Sequence, residues 1–215
     1  MGLRMPGLVD LSHTLADSMP VYPGDDPTRL IRTRSIEDDG YTYFRMETGM
    51  HVGTHLDAPL HFIQGGAPVS ALPVEKFAGR GCLIDARGQE VIEYKPEYDE
   101  MVSPGDIVLL RTDHSRLFGT AGYYLEHPVV GDCLGEFLIA KGIKMLGMDL
   151  PSPDQPPFTV HKSLLGAGIP LLENLTNLAA LEGQGDFEVM AFPLKIASEG
   201  CPVRVVARLM PSTLP

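Results

Sequence analysis

Three histidines and one aspartate fall within eleven residues of the chain, in the run HVGTHLDAPLH; they are His51, His55, Asp57 and His61. Imidazole and carboxylate groups together are a ligand set for zinc or manganese. If the run is extended, the four positions share one face, because strand side chains alternate. A helix would separate Asp57 from His55 around its axis, and Gly53 and Pro59 disfavour a helix. The run therefore predicts a strand or strand edge that presents metal ligands.

Two other interpretations of the run need to be weighed. A single histidine on a strand edge is usually an ordinary surface or core residue, but several imidazoles in one place need a reason. A non-enzymatic module with a structural metal is the second alternative. Structural zinc sites usually use several cysteines, and the three cysteines of this chain, Cys82, Cys133 and Cys201, are all distant from the run. An enzymatic metal site is the favoured hypothesis.

The remaining patterns predict a chain rich in strands, with few helices. Predicted strands cover residues 8–15, 29–36, 41–50, 81–85, 107–111, 144–149 and 168–173, and a closing pair covers 187–196 and 202–209. Predicted helices cover 132–142 and 161–167, with helical turns after Pro73 and at 177–182. This mixture indicates an α/β or α+β fold. No linker divides the chain, so we predict one domain over residues 1–215.

Composition limits the classes of function. The formal net charge is −11, which argues against nucleic-acid binding because that needs clustered Lys and Arg. Three widely spaced cysteines favour a reducing, cytoplasmic setting. The first residues have no apolar segment typical of a signal peptide, and no apolar run is long enough to cross a membrane. We expect a small-molecule substrate and neither a nucleic-acid nor a membrane partner.

The run His51–His61 resembles the His-x-Gly-Thr-His-x-Asp-x-Pro-x-His signature of the metal-dependent cyclase-family hydrolases, which include bacterial kynurenine formamidase and isatin hydrolase. No fixed position of the signature differs. The segments VDLSH at 9–13 and MPVYPGD at 19–25 are similar to the start of that family, and the segment from His161 to Leu175 is similar to its second ligand segment. The resemblance therefore extends over most of the chain.

The resemblance implies a swivelling β/β/α fold and a homodimer or larger assembly. It implies that His51, His55 and Asp57 are metal ligands, and that His161 and Glu173 join them although they lie over 100 residues downstream. Asp57 would then bridge two metal ions, so we expect one or two divalent ions per subunit, zinc first and manganese next. His61 is expected to be the general acid/base, with a role as ligand or as donor to a ligand left open.

The expected reaction is hydrolysis of a C–N bond other than a peptide bond, in a formamide, amide or lactam. A divalent ion would activate water, and His61 would give a proton to the departing nitrogen. The best single prediction is arylformamidase activity on N-formyl-L-kynurenine, which releases formate in tryptophan breakdown. The alternatives are a family hydrolase of a different cyclic amide and a metal-dependent lyase or dehydratase.

Aromatic residues give the only expectation about substrate binding. The family's arylformamidases carry Trp where this chain has Tyr22, and the chain has no Trp. Tyr22 can still stack on an aromatic substrate. Phe44, Phe62, Phe118, Tyr123 and Phe158 are candidates for an apolar pocket, with most expected in the core. His114 and His127 are expected at the surface.

Overall fold

The computed structural model describes residues 7–211. Its strands, numbered along the chain, are β1 Leu8–Asp10, β2 Arg29–Arg34, β3 Tyr43–Glu47, β4 His55–Asp57, β5 Ala78–Asp85, β6 Val91–Ile92, β7 Ile107–Arg111, β8 Val129–Val130, β9 Met145–Met148, β10 Leu171–Glu173, β11 Phe187–Met190, β12 Gly200–Pro202 and β13 Val206–Leu209. Its α-helices are α1 Ile36–Asp39, α2 Tyr98–Met101, α3 Asp132–Lys141 and α4 Thr159–Gly166. Short 3-10 helices cover Pro59–His61, Val69–Ala71, Val74–Phe77, His114–Leu117 and Leu178–Leu181.

Nine strands form one mixed sheet in the order β1-β13-β11-β5-β7-β9-β10-β4-β12. The four central strands, β5, β7, β9 and β10, run parallel, and the strands on either side pair antiparallel. Parallel strands need crossover connections, and a helix supplies one: α3 links the regions of β7 and β9. The predicted α/β fold is confirmed.

Both faces of the central sheet are buried, which explains the continuous apolar runs of its strands. In β7, Val108 and Leu110 point into a core that includes side chains of α3 and α4. Ile107 and Leu109 point into a second core on the other face, under the 3-10 helix Leu178–Leu181. The run His51–His61 joins this sheet through β4, and its 3-10 helix Pro59–His61 contacts α4.

Most predicted elements are found, with three corrections. The run 51–61 is not one extended strand: only His55–Asp57 pair as β4, and Pro59–His61 form a 3-10 helix. The predicted strand 202–209 is split, because β12 pairs with β4 whereas β13 pairs with β11 and β1. The turn between β2 and β3 is a helical turn, α1, that ends at Gly40.

The hairpin of β2 and β3 is a separate two-stranded sheet. Every residue of β3 is exposed, including Tyr43, Phe44 and Met46. Within residues 7–211, Phe44 therefore lies outside the core and does not line the cavity at the metal-ligand run. The described residues contain no helix of the length and apolarity needed to cross a membrane. The first six residues, on which the signal-peptide prediction depends, lie outside the described range.

Candidate metal centre

Strand pairing brings His55 next to a carboxylate, Glu173. β4 lies between β10 and β12, and His55 is directly opposite Glu173 of β10. Residues opposite each other in an antiparallel pair have neighbouring side chains on the same face. His55 Nε2 lies 3.3 Å from Glu173 Oε2 and 3.4 Å from Asp57 Oδ1. All three side chains are buried. They form the first of two possible ligand triads, with donor atoms within 4.8 Å of one another.

His51, Asp57 and His61 form the second triad, on the same distance criterion. His51 Nδ1 lies 2.7 Å from Asp57 Oδ1, and the rings of His51 and His61 stack with centroids 4.0 Å apart. His51 reaches Asp57 from a bend before β4, and His61 from the 3-10 helix after it. Irregular backbone on both sides of the three-residue strand β4 therefore brings His51 and His61 to Asp57. The predicted long strand was expected to place these side chains together on one face.

Gly200 makes room for His51. It is opposite Asp57 in the β4–β12 pair, and a Cβ at this position would lie 2.8 Å from His51 Cε1 and 3.1 Å from the Leu56 carbonyl oxygen. Such distances are below van der Waals contact. The imidazole of His51 can thus occupy its position next to the edge strand only because residue 200 has no side chain.

His161 reaches the site from α4. Its Nε2 lies 3.2 Å from Glu173 Oε1 and 3.8 Å from Asp57 Oδ2. Its Nδ1 donates to Asp154 Oδ1 at 2.6 Å, and Asp154 Oδ2 accepts the backbone N–H of Val160 at 2.7 Å. Asp154 was missed by the sequence analysis, because it lies in a proline-rich loop whose irregular path no spacing rule describes. A carboxylate behind a histidine is the usual support for a metal-binding imidazole.

Protonation in the centre is dominated by the buried carboxylates. Burial disfavours an imidazolium at His55, but facing Asp57 and Glu173 outweigh it and raise the pKa of His55 to about 9. At His161, burial is likewise outweighed by Asp154, Asp57 and Glu173, and the pKa rises to about 11. Burial would raise the pKa of Asp57, yet the surrounding histidines lower it well below its ordinary value. At pH 7 the raised pKa values of His55 and His161 favour the protonated imidazoles.

His61 behaves differently from these histidines. It is half-buried, and burial together with the nearby His51 and His161 lowers its pKa despite the attraction of Asp57 and Glu173. His61 is therefore neutral at pH 7 and has a free nitrogen lone pair. Such an imidazole can accept a proton or bind a metal ion.

The donor set fits a divalent cation. Four buried side-chain atoms of the centre have no hydrogen-bond partner within residues 7–211: His51 Nε2, His55 Nε2, Asp57 Oδ2 and Glu173 Oε1. Buried polar atoms are normally paired, so unpaired ones need an explanation. Imidazole nitrogens and carboxylate oxygens converging at ligand distances are donors that zinc and manganese accept. A cation bound between His55, Asp57 and Glu173 would give partners to the three unpaired atoms of that triad.

A cavity of about 240 Å³ opens onto this centre. Its walls include His55, His61 and Glu173, and the aromatic side chains of Tyr22, Phe62 and Phe158. Tyr22 is 38% exposed and packs edge-on against Tyr124 with ring centroids 5.9 Å apart. Asp25 also lines the cavity, and its backbone N–H donates to the Tyr22 carbonyl oxygen at 3.0 Å.

His114 and His127 are buried, so their expected surface position is wrong. His114 Nε2 donates to the Tyr123 carbonyl oxygen at 2.8 Å, and His127 Nδ1 donates to the Pro128 carbonyl oxygen at 2.8 Å. Backbone carbonyls in a folded loop supply these partners, which an isolated histidine in a sequence does not reveal. Neither residue lines the cavity. Phe118 stacks on His13, away from the cavity, and Tyr123 is fully buried.

Comparisons with known proteins agree with this geometry. The family model described as "Putative cyclase" matches residues 9–155. A protein named kynurenine formamidase from Bacillus cereus is 33% identical over 208 residues, covering 93% of this chain and 96% of that protein. The structure of isatin hydrolase A from Labrenzia aggregata, bound to benzyl benzoate, superposes with a TM-score of 0.84 at 28% identity, covering 95% of this chain and 94% of that one. A structure described as a potential metal-dependent hydrolase with cyclase activity gives a TM-score of 0.80 at 26% identity, covering 95% and 98%.

The fold and the centre together define a metal-dependent hydrolytic enzyme of the α/β class. Its family follows from the match over residues 9–155 and from the relative that it resembles along almost its whole length. The chain belongs to the cyclase family.

Proposed function

We propose that this enzyme hydrolyses aryl formamides and that N-formyl-L-kynurenine is its best single candidate substrate. One observation carries the proposal: two imidazole–carboxylate triads share Asp57, and the other members of these triads line a cavity with aromatic walls. The relative named kynurenine formamidase supports the choice of a formamide.

The proposed ligands are His51, His55, Asp57, His161 and Glu173. Asp57 is common to both triads, so it would serve one ion or two. When bound, the ion supplies a Lewis acid that polarises a carbonyl oxygen and lowers the pKa of water. We expect zinc first and manganese next, because imidazole suits zinc and carboxylate admits both.

His61 is proposed to move the proton. Its lowered pKa leaves it neutral at pH 7, so it can take a proton from the attacking water and then give it to the departing aniline nitrogen. Its stacking on His51 fixes the ring beside the ligand set. The same proximity leaves a role as a ligand open, and the pH dependence of the reaction separates the two roles.

The cavity suits an aromatic substrate that carries an ammonium group, as the zwitterionic amino-acid side chain of N-formyl-L-kynurenine does. Tyr22, Phe62 and Phe158 offer ring faces and edges. Among the described residues that line the cavity there is no Lys or Arg, and Asp25 is the only carboxylate outside the proposed ligand set. Asp25 forms no ion pair within the described residues. We propose that it faces the ammonium group of the substrate's amino-acid side chain.

The second candidate is hydrolysis of a neutral lactam. The similarity to isatin hydrolase A favours it, and Tyr22 in place of the tryptophan of the family's arylformamidases changes the wall that would contact the substrate ring. A neutral lactam has no ammonium group for Asp25 to meet, so Asp25 favours the formamide. A lyase reaction would require a base aimed at carbon. Outside the proposed ligand set, His61 and Asp25 are the only bases among the described residues that line the cavity, and His61 is already assigned to the departing nitrogen.

We also propose that the enzyme works as a homo-oligomer in a reducing compartment such as the cytoplasm. The exposed apolar side chains of the β2–β3 hairpin support assembly. The three cysteines are free within the described residues, which agrees with a reducing setting.

The test is hydrolysis of N-formyl-L-kynurenine by the Zn²⁺-loaded enzyme, beside a chelated sample and His61→Ala. We expect turnover that chelation abolishes and that His61→Ala lowers by about 10²–10⁴-fold, with the fold of the variant checked by circular dichroism. Absence of turnover with metal bound would contradict the formamide substrate, and isatin would then be tested under the same conditions.

A further inference from the structure

Asn174 lies between the two segments that carry the proposed ligands, the segment before β4 and the end of β10. It follows Glu173 directly at the end of β10, and it is 3% exposed. Its backbone lies in the left-handed region, with φ of 54°, which asparagine tolerates better than most residues. This backbone turns its side chain back towards the segment before β4.

Asn174 joins the two ligand segments by hydrogen bonds on both backbone and side chain. Its carbonyl oxygen accepts the Thr54 hydroxyl at 2.6 Å, and its Nδ2 donates to the Gly53 carbonyl oxygen at 2.9 Å. Both partners immediately precede His55. These two hydrogen bonds add to the β4–β10 pairing that sets His55 opposite Glu173.

The same contacts fix the tautomer of His55. The Gly53 carbonyl oxygen can only accept, and His55 Nδ1 lies 2.8 Å from it, so Nδ1 carries a hydrogen and donates. In the neutral ring the lone pair is then on Nε2, which faces Asp57 and Glu173. Asn174 Nδ2 holds the shared acceptor in place from the other side.

Tyr123 fixes the orientation of the Asn174 amide. Its hydroxyl donates to Asn174 Oδ1 at 2.7 Å, which leaves the amide nitrogen facing Gly53. The Tyr123 ring is fully buried and stacks on His114 with centroids 5.0 Å apart. The His114 side chain in turn donates to the Tyr123 carbonyl oxygen. The chain of contacts runs from His114 through Tyr123 and Asn174 to His55.

We propose that Asn174 and Tyr123 are positioning residues that preset His55 for metal binding. This inference rests on the proposed metal-dependent function. Tyr123 acts only through Asn174, so its contribution to metal affinity should vanish when the Asn174 amide is absent. Partners of ligating histidines typically change metal affinity by about 10–100-fold.

Three variants test the pair. Tyr123→Phe removes one hydroxyl and keeps the ring. Asn174→Gly removes the amide while tolerating the left-handed backbone, which alanine would strain. Tyr98→Phe is the matched control, because Tyr98 is also buried but lies on α2, outside the centre.

The measurement is the Kd of the metal-free protein for Zn²⁺, in competition with a chromophoric chelator, with His55→Ala as the reference for a lost ligand. We expect Asn174→Gly to weaken binding about 10–100-fold, Tyr123→Phe about tenfold, and Tyr98→Phe not at all. The double variant should bind no more weakly than Asn174→Gly alone. A purely structural role would lower the unfolding midpoint and leave the Kd of the folded protein unchanged.

The outcomes separate the two proposals. If the wild-type chain binds Zn²⁺ and loses affinity with His55→Ala, but binds equally well with Tyr123→Phe and Asn174→Gly, the positioning role is wrong and the metal site stands. Additive losses in the double variant would overturn the relay through Asn174. If the wild-type chain itself binds neither Zn²⁺ nor Mn²⁺, both the proposed function and the positioning role are wrong.

Discussion

At the scale of single residues, Asp25 is the residue that we propose selects among aromatic substrates. Its carboxylate lines a cavity in which the other described acid, Glu173, belongs to the proposed ligand set. An attraction at an exposed rim contributes up to about 1 kcal/mol, which corresponds to roughly a fivefold change in affinity. The residue therefore tunes selectivity and leaves the chemical step alone.

We predict that Asp25→Asn raises KM for N-formyl-L-kynurenine about fivefold, with kcat unchanged. An aryl formamide without the amino-acid side chain should show no change. Asp26→Asn is the matched control, because Asp26 is the next residue of the loop and does not line this cavity. An equal rise in KM for both substrates would show that Asp25 maintains the conformation of the loop and does not bind the ammonium group.

The residues of the candidate centre were largely predictable one by one. His51, His55, Asp57 and His61 were marked by their spacing, because four potential ligands rarely fall within eleven residues without a reason. His161 and Glu173 came only from the family resemblance. Asp154, Asn174 and Tyr123 were missed, since their roles depend on hydrogen bonds across the fold that no local spacing records.

At the scale of elements, strands and helices were predicted well where the local sequence pattern sets their bounds. They were predicted poorly where pairing with distant strands sets those bounds. The apolar run of β7 marks a strand buried on both faces. In contrast, the run 51–61 pairs as a strand only over the three residues of β4, and its neighbours β10 and β12 are equally short. The predicted strand 202–209 is split because β12 and β13 pair with different partners.

The start of α4 is the element most closely tied to the centre. Its first residues follow Phe158, whose side chain makes no capping hydrogen bond. Asp154 takes over this role, since its Oδ2 accepts the Val160 N–H while its Oδ1 holds His161. Helix stability and the position of one proposed ligand therefore depend on the same carboxylate.

We predict that Asp154→Asn lowers the free energy of unfolding by about 1–3 kcal/mol, because an amide cannot accept from both groups at once. Zn²⁺ affinity should fall about 10–100-fold. Urea unfolding and chelator competition measure the two effects. Asp132→Asn is the control: Asp132 is exposed and accepts from the Thr159 hydroxyl at the same helix start. Equal effects of both variants would argue against a special role for Asp154.

At the scale of the whole molecule, the metal-free centre should make stability depend on pH. The folded state raises the pKa of His55 from 6.5 to about 9 and that of His161 to about 11, against the penalty of burial. A raised pKa contributes stability that is complete below the unfolded value and is lost as the pH rises through the folded value. Asp57, whose pKa is lowered, has the opposite dependence, and its contribution is lost on acidification.

We predict that the free energy of unfolding of the chelated protein falls as the pH rises from about 6.5 through about 9. Zn²⁺-loaded protein should not show this fall, because a metal ligand must be a neutral imidazole and binding strengthens as protons leave. Urea unfolding at pH 6.5, 8 and 9.5, with and without Zn²⁺, measures both curves. Parallel curves would contradict the idea that protons and metal compete for these histidines.

Assembly is a second property of the whole molecule, and we expect the hairpin of β2 and β3 to form the contact between copies. A two-stranded hairpin alone is marginally stable in water, and this one pairs with no other strand of the described residues. Phe44 and Met46 lie on the same face of β3, and each is about half exposed, at 53% and 52%. Burying that face against a second copy would stabilise both the hairpin and the assembly.

We predict that the wild-type chain elutes as a homo-oligomer, with a mass by light scattering that is a multiple of 23.4 kDa. Phe44→Ser combined with Met46→Ser should shift it towards the single-chain mass. Tyr43→Ser is the matched control, because Tyr43 is similarly exposed, at 57%, but points to the opposite face of the same strand. A wild-type mass of one chain at micromolar concentration would show that the exposed hairpin is stable without a partner, and the assembly prediction would be wrong. If instead only Tyr43→Ser dissociates the oligomer, the interface lies on the other face of the hairpin.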